Sequence, residues 1–251
     1  MMRFDERTVV ITGGEMGIGR ATAARFAEAG ARVVILGVDE NAGSATASDL
    51  GEQVDFRRTD VTKSDEVAQA ADWIRSAHGL TGVLVNNAGI YGKGDVLSLE
   101  EKDWRRTLDV NVTGMFLMTK HIVPQMIERG GGVVVNVGSE AGLVAIGDQV
   151  AYNVSKAAVI QFTKCLAVDL AKHSIRANTV CPGTTMTPLV ENALEQSGDP
   201  EGVKRHLEQI RPMNRLGKPE EIAAAIVAMA SDELGYATGT VCSIDGGYTA
   251  Q

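Results

Sequence analysis

The chain is poor in cysteine, with three in 251 residues. Cys165, Cys181 and Cys242 lie far apart in sequence and match neither the spacing of a metal site nor that of a redox pair. We therefore expect buried thiols in a reducing cytoplasm, with no disulfide and no bound metal. Proline is also scarce, at six residues, and no segment resembles a linker between domains.

Long apolar runs and clusters of basic residues are missing as well. No apolar stretch approaches the ~20 residues needed to cross a bilayer, and the N-terminal MMRFDERTVV has no signal-peptide core. The net charge is -8 and the isoelectric point is near 5.1. These features disfavour a membrane, and nucleic acid, as partners. We expect a soluble, cytoplasmic protein with a small-molecule substrate.

The residues that are present alternate between strand-like and helix-like patterns. β-Branched runs such as TVVIT are followed by segments whose apolar residues recur at helical spacing, as in RATAARFAEAG. We therefore predict an α/β fold over residues 1–251, namely a single-domain, Rossmann-type, doubly wound parallel sheet with helices on both faces. The irregular residues 183–219 are predicted to form a mobile cover over the substrate.

A glycine-rich turn joins the first predicted strand to the first predicted helix. Gly13, Gly17 and Gly19 are spaced GxxxGxG, which lets the backbone at a helix N-terminus approach a diphosphate. An acidic residue, Asp39, follows about 20 residues later, where contact with a ribose hydroxyl is expected. Later strands also end in polar residues, and ligands of parallel sheets bind at that edge. The pattern predicts a dinucleotide site.

The stretch SEAGLVAIGDQVAYNVSK, residues 139–156, contains a hydroxyl, a phenol and an ammonium. In a helix, Tyr152 and Lys156 lie one turn apart on the same face, a pair that is also common on helix surfaces. A neighbouring positive charge lowers the pKa of a phenol from its usual value near ~10. The pair then suits general acid–base catalysis, and Ser139, at the end of a buried strand, can polarise a carbonyl or orient an alcohol.

Several motifs, in order, resemble the short-chain dehydrogenase/reductase family. They are TGGEMGIG, Asp60, NNAG, Asn111, Ser139, YNVSK, PGTTMT and SIDGGYTA, and they span about Thr8 to Tyr248. The resemblance implies that Tyr152 is the acid–base residue and that Lys156 lowers its pKa and holds the nicotinamide ribose. It also implies that Ser139 positions the substrate oxygen and that Asn111 supports a proton relay.

By the same resemblance, a nicotinamide cofactor exchanges a hydride with a secondary alcohol or ketone. Short sequence segments resemble a family member that oxidises a ring alcohol, which suggests a cyclic substrate. The implied cofactor-binding residues are Gly13, Glu15, Met16, Gly17, Ile18, Gly19, Gly37, Asp39, Asp60, Val61, Asn87, Ala88, Gly89, Tyr152, Lys156, Pro182, Gly183, Thr185 and Thr187.

The choice between NAD and NADP depends on the end of the second strand, VVILGVDE. NAD-specific members of the family usually carry an acid where Gly37 stands, and NADP-specific members often carry a basic residue at Val38 or Met16. Neither signature is present, but the neighbouring charges of Glu15 and Asp39 are negative. We therefore predict a modest preference for NAD, with Asp39 replacing the missing acid, and NADP is not excluded.

Three other functions compete with that of an alcohol or ketone oxidoreductase. A non-catalytic dinucleotide sensor would be expected to lose Tyr152 or Lys156 first, and both are present. Enoyl-thioester reductases of the family space their Tyr and Lys more widely than in YNVSK. A 3-oxoacyl-[carrier-protein] reductase shares every motif, and only the acidic charge of the chain disfavours an acidic carrier.

Two long helix-like runs, at 99–129 and 150–172, carry apolar residues around much of their circumference. One face of a sheet cannot cover so much apolar surface, and the family resemblance points to the same helices as subunit contacts. We therefore expect a homotetramer.

Overall fold

The computed structural model describes residues 3–251, which form seven strands and nine α-helices. The strands are β1 (Thr8–Thr12), β2 (Arg32–Gly37), β3 (Val54–Arg58), β4 (Thr81–Asn86), β5 (Gly132–Val137), β6 (Ile175–Pro182) and β7 (Val241–Ile244). The helices are α1 (Gly17–Glu28), α2 (Glu40–Leu50), α3 (Ser64–His78), α4 (Glu101–Leu108), α5 (Met115–Arg129), α6 (Val150–Leu170), α7 (Pro188–Glu195), α8 (Pro200–Gln209) and α9 (Pro219–Ala230). None of the helices in this range combines the length and apolar character needed to cross a membrane.

The strands form one parallel sheet in the order β3-β2-β1-β4-β5-β6-β7. β1 lies between β2 and β4, so the chain winds outward from it in both directions. This is the doubly wound parallel sheet that the sequence predicts. At such a reversal of strand order, the carboxyl ends of the strands border a crevice in which ligands bind.

Helices cover both faces of the sheet, and successive strand residues point to opposite faces. In β1, Val9 and Ile11 join the core beneath α1, α2 and α9, whereas Val10 joins the core beneath α3 and α5. Phe26 of α1 and Met118 of α5 are fully buried in these two layers. Because both faces are covered, the central strands β1, β2, β4 and β5 are largely apolar rather than alternating.

Two elements differ from the sequence-based expectation. The pattern does not predict β7, since VCSI is short and only partly buried, and pairing with β6 defines it. The run at 99–129 is helical as expected, but a π-helical turn, Asp109–Gly114, separates α4 from α5. Such turns occur frequently at functional sites.

Residues 183–219 leave the sheet after β6 and carry α7 and α8. Gly217 N donates to Thr184 O at 3.0 Å, and Met186 N donates to Gly217 O at 3.0 Å, so the two ends of the segment are joined. Leu194 of α7 is buried, whereas no residue of α8 is. The segment therefore has a fixed base, as a cover requires, and its mobility stays a prediction.

Candidate active site

A cavity of about 1360 Å³ opens at the carboxyl ends of the central strands. The glycine-rich turn between β1 and α1, called the glycine loop below, lines one part of it. The other part is lined by residues that follow β5, by α6 and by the segment that carries α7 and α8. Sites for one small ligand are usually ~300–1,000 Å³. The cavity therefore has room for a dinucleotide and a substrate together.

The loop between β1 and α1 packs tightly against the end of β4. A Cβ at Gly19 would overlap the carbonyl oxygen of Gly13. Asn87 Nδ2 donates to the carbonyl oxygens of Thr12 at 3.0 Å and Gly13 at 2.9 Å, which holds the loop in place. Within residues 3–251 no side chain caps α1, and its first residue, Gly17, lines the cavity. Free amides and the helix dipole favour an anion there, so these residues fit the diphosphate of a dinucleotide.

Ser139 lies two residues after the end of β5 and caps a short 3₁₀ turn, Glu140–Gly142. Its Oγ accepts a hydrogen bond from Ala141 N at 3.2 Å. Because Oγ acts there as the acceptor, the hydroxyl keeps its own proton for donation. Ser139 is buried but lines the cavity, so its hydroxyl can donate a hydrogen bond to a ligand oxygen.

α6 places Tyr152 and Lys156 one turn apart, as their spacing predicts. Lys156 Nζ donates to the carbonyl oxygen of Val137 at 2.9 Å and lies 5.6 Å from the centroid of the Tyr152 ring. The ring of Tyr91 packs edge-on against Tyr152, with 5.5 Å between centroids. Tyr152, Lys156 and Ser139 all line the cavity. A phenol, an ammonium and a hydroxyl therefore meet at one surface.

Burial controls the proton affinities of this pair. It raises the pKa of Tyr152 to about 12, although the Ser139 hydroxyl opposes this change. It lowers the pKa of Lys156 to about 8. Burial therefore holds the pKa of the phenol above its usual value, and the lowering by Lys156 that the family resemblance implies stays a prediction. At neutral pH Tyr152 is a proton donor and Lys156 a cation.

Asn111 lies in the π-helical turn and is buried behind the cavity wall. Its Oδ1 accepts from Ile90 N at 2.8 Å, while Nδ2 donates to Ile90 O and to Ser155 Oγ, both at 3.0 Å. These bonds fix the segment after β4 against α6. The geometry gives Asn111 a positioning role, and the proton relay stays a prediction.

A buried ion pair is formed by Glu140, the residue after Ser139, and Arg211. Arg211 Nη2 donates to Glu140 Oε1 at 2.5 Å and to Thr184 Oγ1 at 2.6 Å, and the guanidinium lies over the Tyr248 ring. Both charged side chains are almost completely buried. The sequence does not predict this contact, because 71 residues separate the partners and no local pattern links them. The pair joins the catalytic segment to the end of α8.

Most of the predicted cofactor-binding residues line the one cavity. They are Gly13, Glu15, Met16, Gly17, Ile18, Gly37, Asp60, Val61, Asn87, Ala88, Gly89, Tyr152, Lys156, Pro182, Gly183, Thr185 and Thr187. Gly19 lies behind the loop. Asp39 is exposed, and its carboxylate accepts from Ala42 N at 3.0 Å to cap α2. Asp39 is not among the residues that line the cavity, and its replacement of an acid at position 37 stays a prediction.

Known proteins resemble this chain over nearly its whole length. A family model described as enoyl-(acyl carrier protein) reductase matches residues 13–249. Cis-4-hydroxycyclohexanecarboxylate dehydrogenase of Sinomonas cyclohexanicum is 40% identical over 98% of each chain. The 3-oxoacyl-[acyl-carrier-protein] reductase FabG of Thermotoga maritima is 39% identical, over 98% of this chain and 99% of the relative.

The likeness extends to the three-dimensional structure. The crystal structure of levodione reductase superposes with a TM-score of 0.96 at 33% sequence identity, covering 99% of each chain. These proteins match this chain almost from end to end. The chain belongs to the short-chain dehydrogenase/reductase family of oxidoreductases.

Proposed function

We propose that the protein interconverts a secondary alcohol and a ketone by hydride transfer with a nicotinamide cofactor, and that it prefers NAD. The observation that carries this proposal is one cavity lined by both the glycine loop and the side chains of Ser139, Tyr152 and Lys156. A dinucleotide and a carbonyl substrate held there share the space in which the proton donor lies.

The bound nicotinamide supplies or accepts the hydride. In reduction, the Tyr152 phenol donates its proton to the carbonyl oxygen while the hydride reaches the carbonyl carbon, and a secondary alcohol results. Ser139 donates a hydrogen bond to the same oxygen and stabilises the negative charge that develops on it. In oxidation the alcohol proton would pass back to the Tyr152 phenolate.

Lys156 acts through the positive charge of its ammonium and does not transfer a proton. Its ammonium is fixed by Val137 O at 2.9 Å beside the Tyr152 ring. Once Tyr152 has given up its proton, this ammonium stabilises the phenolate, and the low dielectric of the buried site strengthens the interaction. A pKa of about 8 keeps Lys156 cationic at neutral pH.

A cyclic alcohol or ketone is the substrate class that we propose. The phrases GMFLMTKH and NRLGKPEEIA resemble dihydroanticapsin dehydrogenase, which oxidises a ring alcohol. One relative, by its name, acts on a hydroxycyclohexanecarboxylate. Leu189, Leu194 and Leu207 of the cover line the cavity together with Tyr91, and such apolar walls suit a ring.

A 3-oxoacyl-thioester reductase is the second candidate function, favoured by the relative that is 39% identical. It would use the same three side chains on a carbonyl. The net charge of -8 disfavours it, because an acidic carrier protein would be repelled.

The position to which hydride is transferred separates these functions. Reduced cofactor that carries deuterium at the transferable position is incubated with the protein and one of three acceptors: a cyclic ketone, a 3-oxoacyl thioester or an enoyl thioester. We expect deuterium on the carbinol carbon of the cyclic alcohol, with the highest kcat/KM for that acceptor. Mass spectrometry of the products provides the readout.

Each other outcome contradicts a specific part of the proposal. Fastest labelling of the 3-oxoacyl thioester would favour the second candidate. Deuterium on the former double bond of the enoyl thioester alone would contradict carbonyl chemistry. Cofactor binding without transfer to any acceptor would favour a dinucleotide sensor.

A further inference from the structure

The carboxylate of Glu15 lies at the end of β2, although Glu15 belongs to the glycine loop. A Cβ built on Gly37 would overlap this carboxylate, so Glu15 occupies the space in which a side chain at position 37 would begin. Thr46 of α2 fixes the Glu15 backbone, since its Oγ1 donates to the Glu15 carbonyl oxygen at 2.9 Å. Glu15 and Gly37 both line the cavity.

One oxygen of this carboxylate has no donor. Among the described residues nothing hydrogen-bonds to Glu15 Oε2, which is buried. A buried acceptor without a partner is costly, and native structures keep few of them without a reason. Burial raises the pKa of Glu15, and the nearby backbone N–H groups of Glu15 itself, Val38 and Asp39 oppose that change. The free oxygen is suited to a hydroxyl donor on a ligand.

Two other charged side chains near the carboxyl ends of β2 and β3 are engaged elsewhere. Asp39 caps α2 through Ala42 N. Arg58, which lines the same cavity, donates from Nη1 to Glu66 Oε2 at 3.0 Å. A phosphate beside Glu15 would therefore meet a carboxylate, and the nearby Arg58 guanidinium is already paired.

We infer that Glu15 selects NAD over NADP by taking the place of the acid that is missing at position 37. This inference rests on the proposed use of a nicotinamide cofactor. In dinucleotide-binding folds an acid after the second strand accepts a hydrogen bond from the ribose 2′-hydroxyl. A 2′-phosphate offers no such donor at neutral pH and brings a like charge to a partly buried carboxylate, where repulsion is poorly screened.

Calorimetric titration of the whole protein with NAD and with NADP tests this inference independently of catalysis. Glu15→Gln keeps the size of the side chain and removes its charge. We expect the ratio of Kd for NADP to Kd for NAD to fall about tenfold or more, a change of ~1.4 kcal/mol. Asp39→Asn removes a charge from the same region and is the matched control, with an expected change in the ratio of less than about twofold. Thermal unfolding checks that each variant is folded.

A relocation variant provides the stricter comparison. Gly37→Asp combined with Glu15→Ser moves the carboxylate to position 37 and should restore the wild-type ratio. Gly37→Asp alone places two carboxylates in one space and should weaken binding of both cofactors. An unchanged ratio in Glu15→Gln, with NAD still bound by the wild type, would overturn the inference and leave the proposed hydride transfer intact. A wild-type protein that binds neither cofactor would overturn both.

Discussion

Lys156 should make the stability of the protein depend on pH above neutrality. Burial lowers its pKa from 10.5 to about 8, so between these values the unfolded chain binds more protons than the folded one. The free energy of unfolding then rises with pH across this window, because the folded protein no longer has to keep a buried charge. Relative to a Lys156→Met variant, we expect the wild type to gain roughly 2 to 3 kcal/mol across it.

Urea unfolding of both proteins at a series of pH values measures this difference. The comparison with Lys156→Met cancels the titration of groups that the two proteins share. A difference that stays constant from neutral pH to pH 10.5 would show that the Lys156 ammonium is not destabilised by burial.

Individual residues of the site differ in how far the sequence predicts them. Tyr152 and Lys156 follow from helical spacing, because residues four apart in a helix share a face. The direction in which burial shifts their pKa does not follow, because it depends on how much water the fold removes. The sequence does not predict that Asp39 caps α2 or that the Glu15 carboxylate lies against Gly37. Only the folded backbone decides which acid reaches the strand end.

Among the helices, α8 depends on one buried ion pair for its attachment to the catalytic segment. Arg211 and Glu140 are 2% and 5% exposed. Arg211→Met leaves the Glu140 carboxylate buried and unpaired, and we expect it to lower the free energy of unfolding by roughly 3 to 5 kcal/mol. Urea unfolding with a double-mutant cycle checks this, and adding Glu140→Gln to Arg211→Met should recover part of the loss.

The second arginine pair of the same segment provides a matched control. Arg215 bonds to Glu221 at 2.6 Å, but the two side chains are 42% and 39% exposed. Arg215→Met should therefore cost less than ~1 kcal/mol. Equal losses in Arg211→Met and Arg215→Met would contradict the role assigned to burial.

The sequence predicts best the strands and helices whose own apolar residues form a clear run or a regular spacing. β1, β2, β4 and β5 are largely apolar runs, and α6 has the length and apolar content of a buried helix. β7 has four residues and depends on hydrogen bonds to β6, so its own pattern is weak. The spacing of apolar residues does not reveal the π-helical turn, because Asn111 in that turn bonds to Ile90 and Ser155, which are distant in sequence.

At the scale of the whole molecule, apolar side chains remain exposed on the two helices expected to form subunit contacts. Phe116 of α5 is 46% exposed and Val168 of α6 is 79% exposed. We predict a homotetramer, with a sedimentation mass about four times that of the 26.5 kDa chain. Val168→Glu should reduce this mass, because it places a charge in an apolar contact.

Val96, in the segment between β4 and α4, is 81% exposed and provides the control for this substitution. Val96→Glu adds the same charge outside the two helices and should leave the mass unchanged. A monomeric wild type at micromolar concentration, or equal effects of the two substitutions, would contradict the prediction.

Transfer of deuterium by wild-type protein and by Tyr152→Phe tests the central claim most directly. The variant keeps the ring and loses only the proton donor, so calorimetry should show that it still binds the cofactor. Formation of the labelled cyclic alcohol should fall by about 10² or more, the lower end of the scale for general acid catalysis. A Tyr152→Phe variant that forms the labelled alcohol at nearly the wild-type rate would show that Tyr152 does not supply the proton.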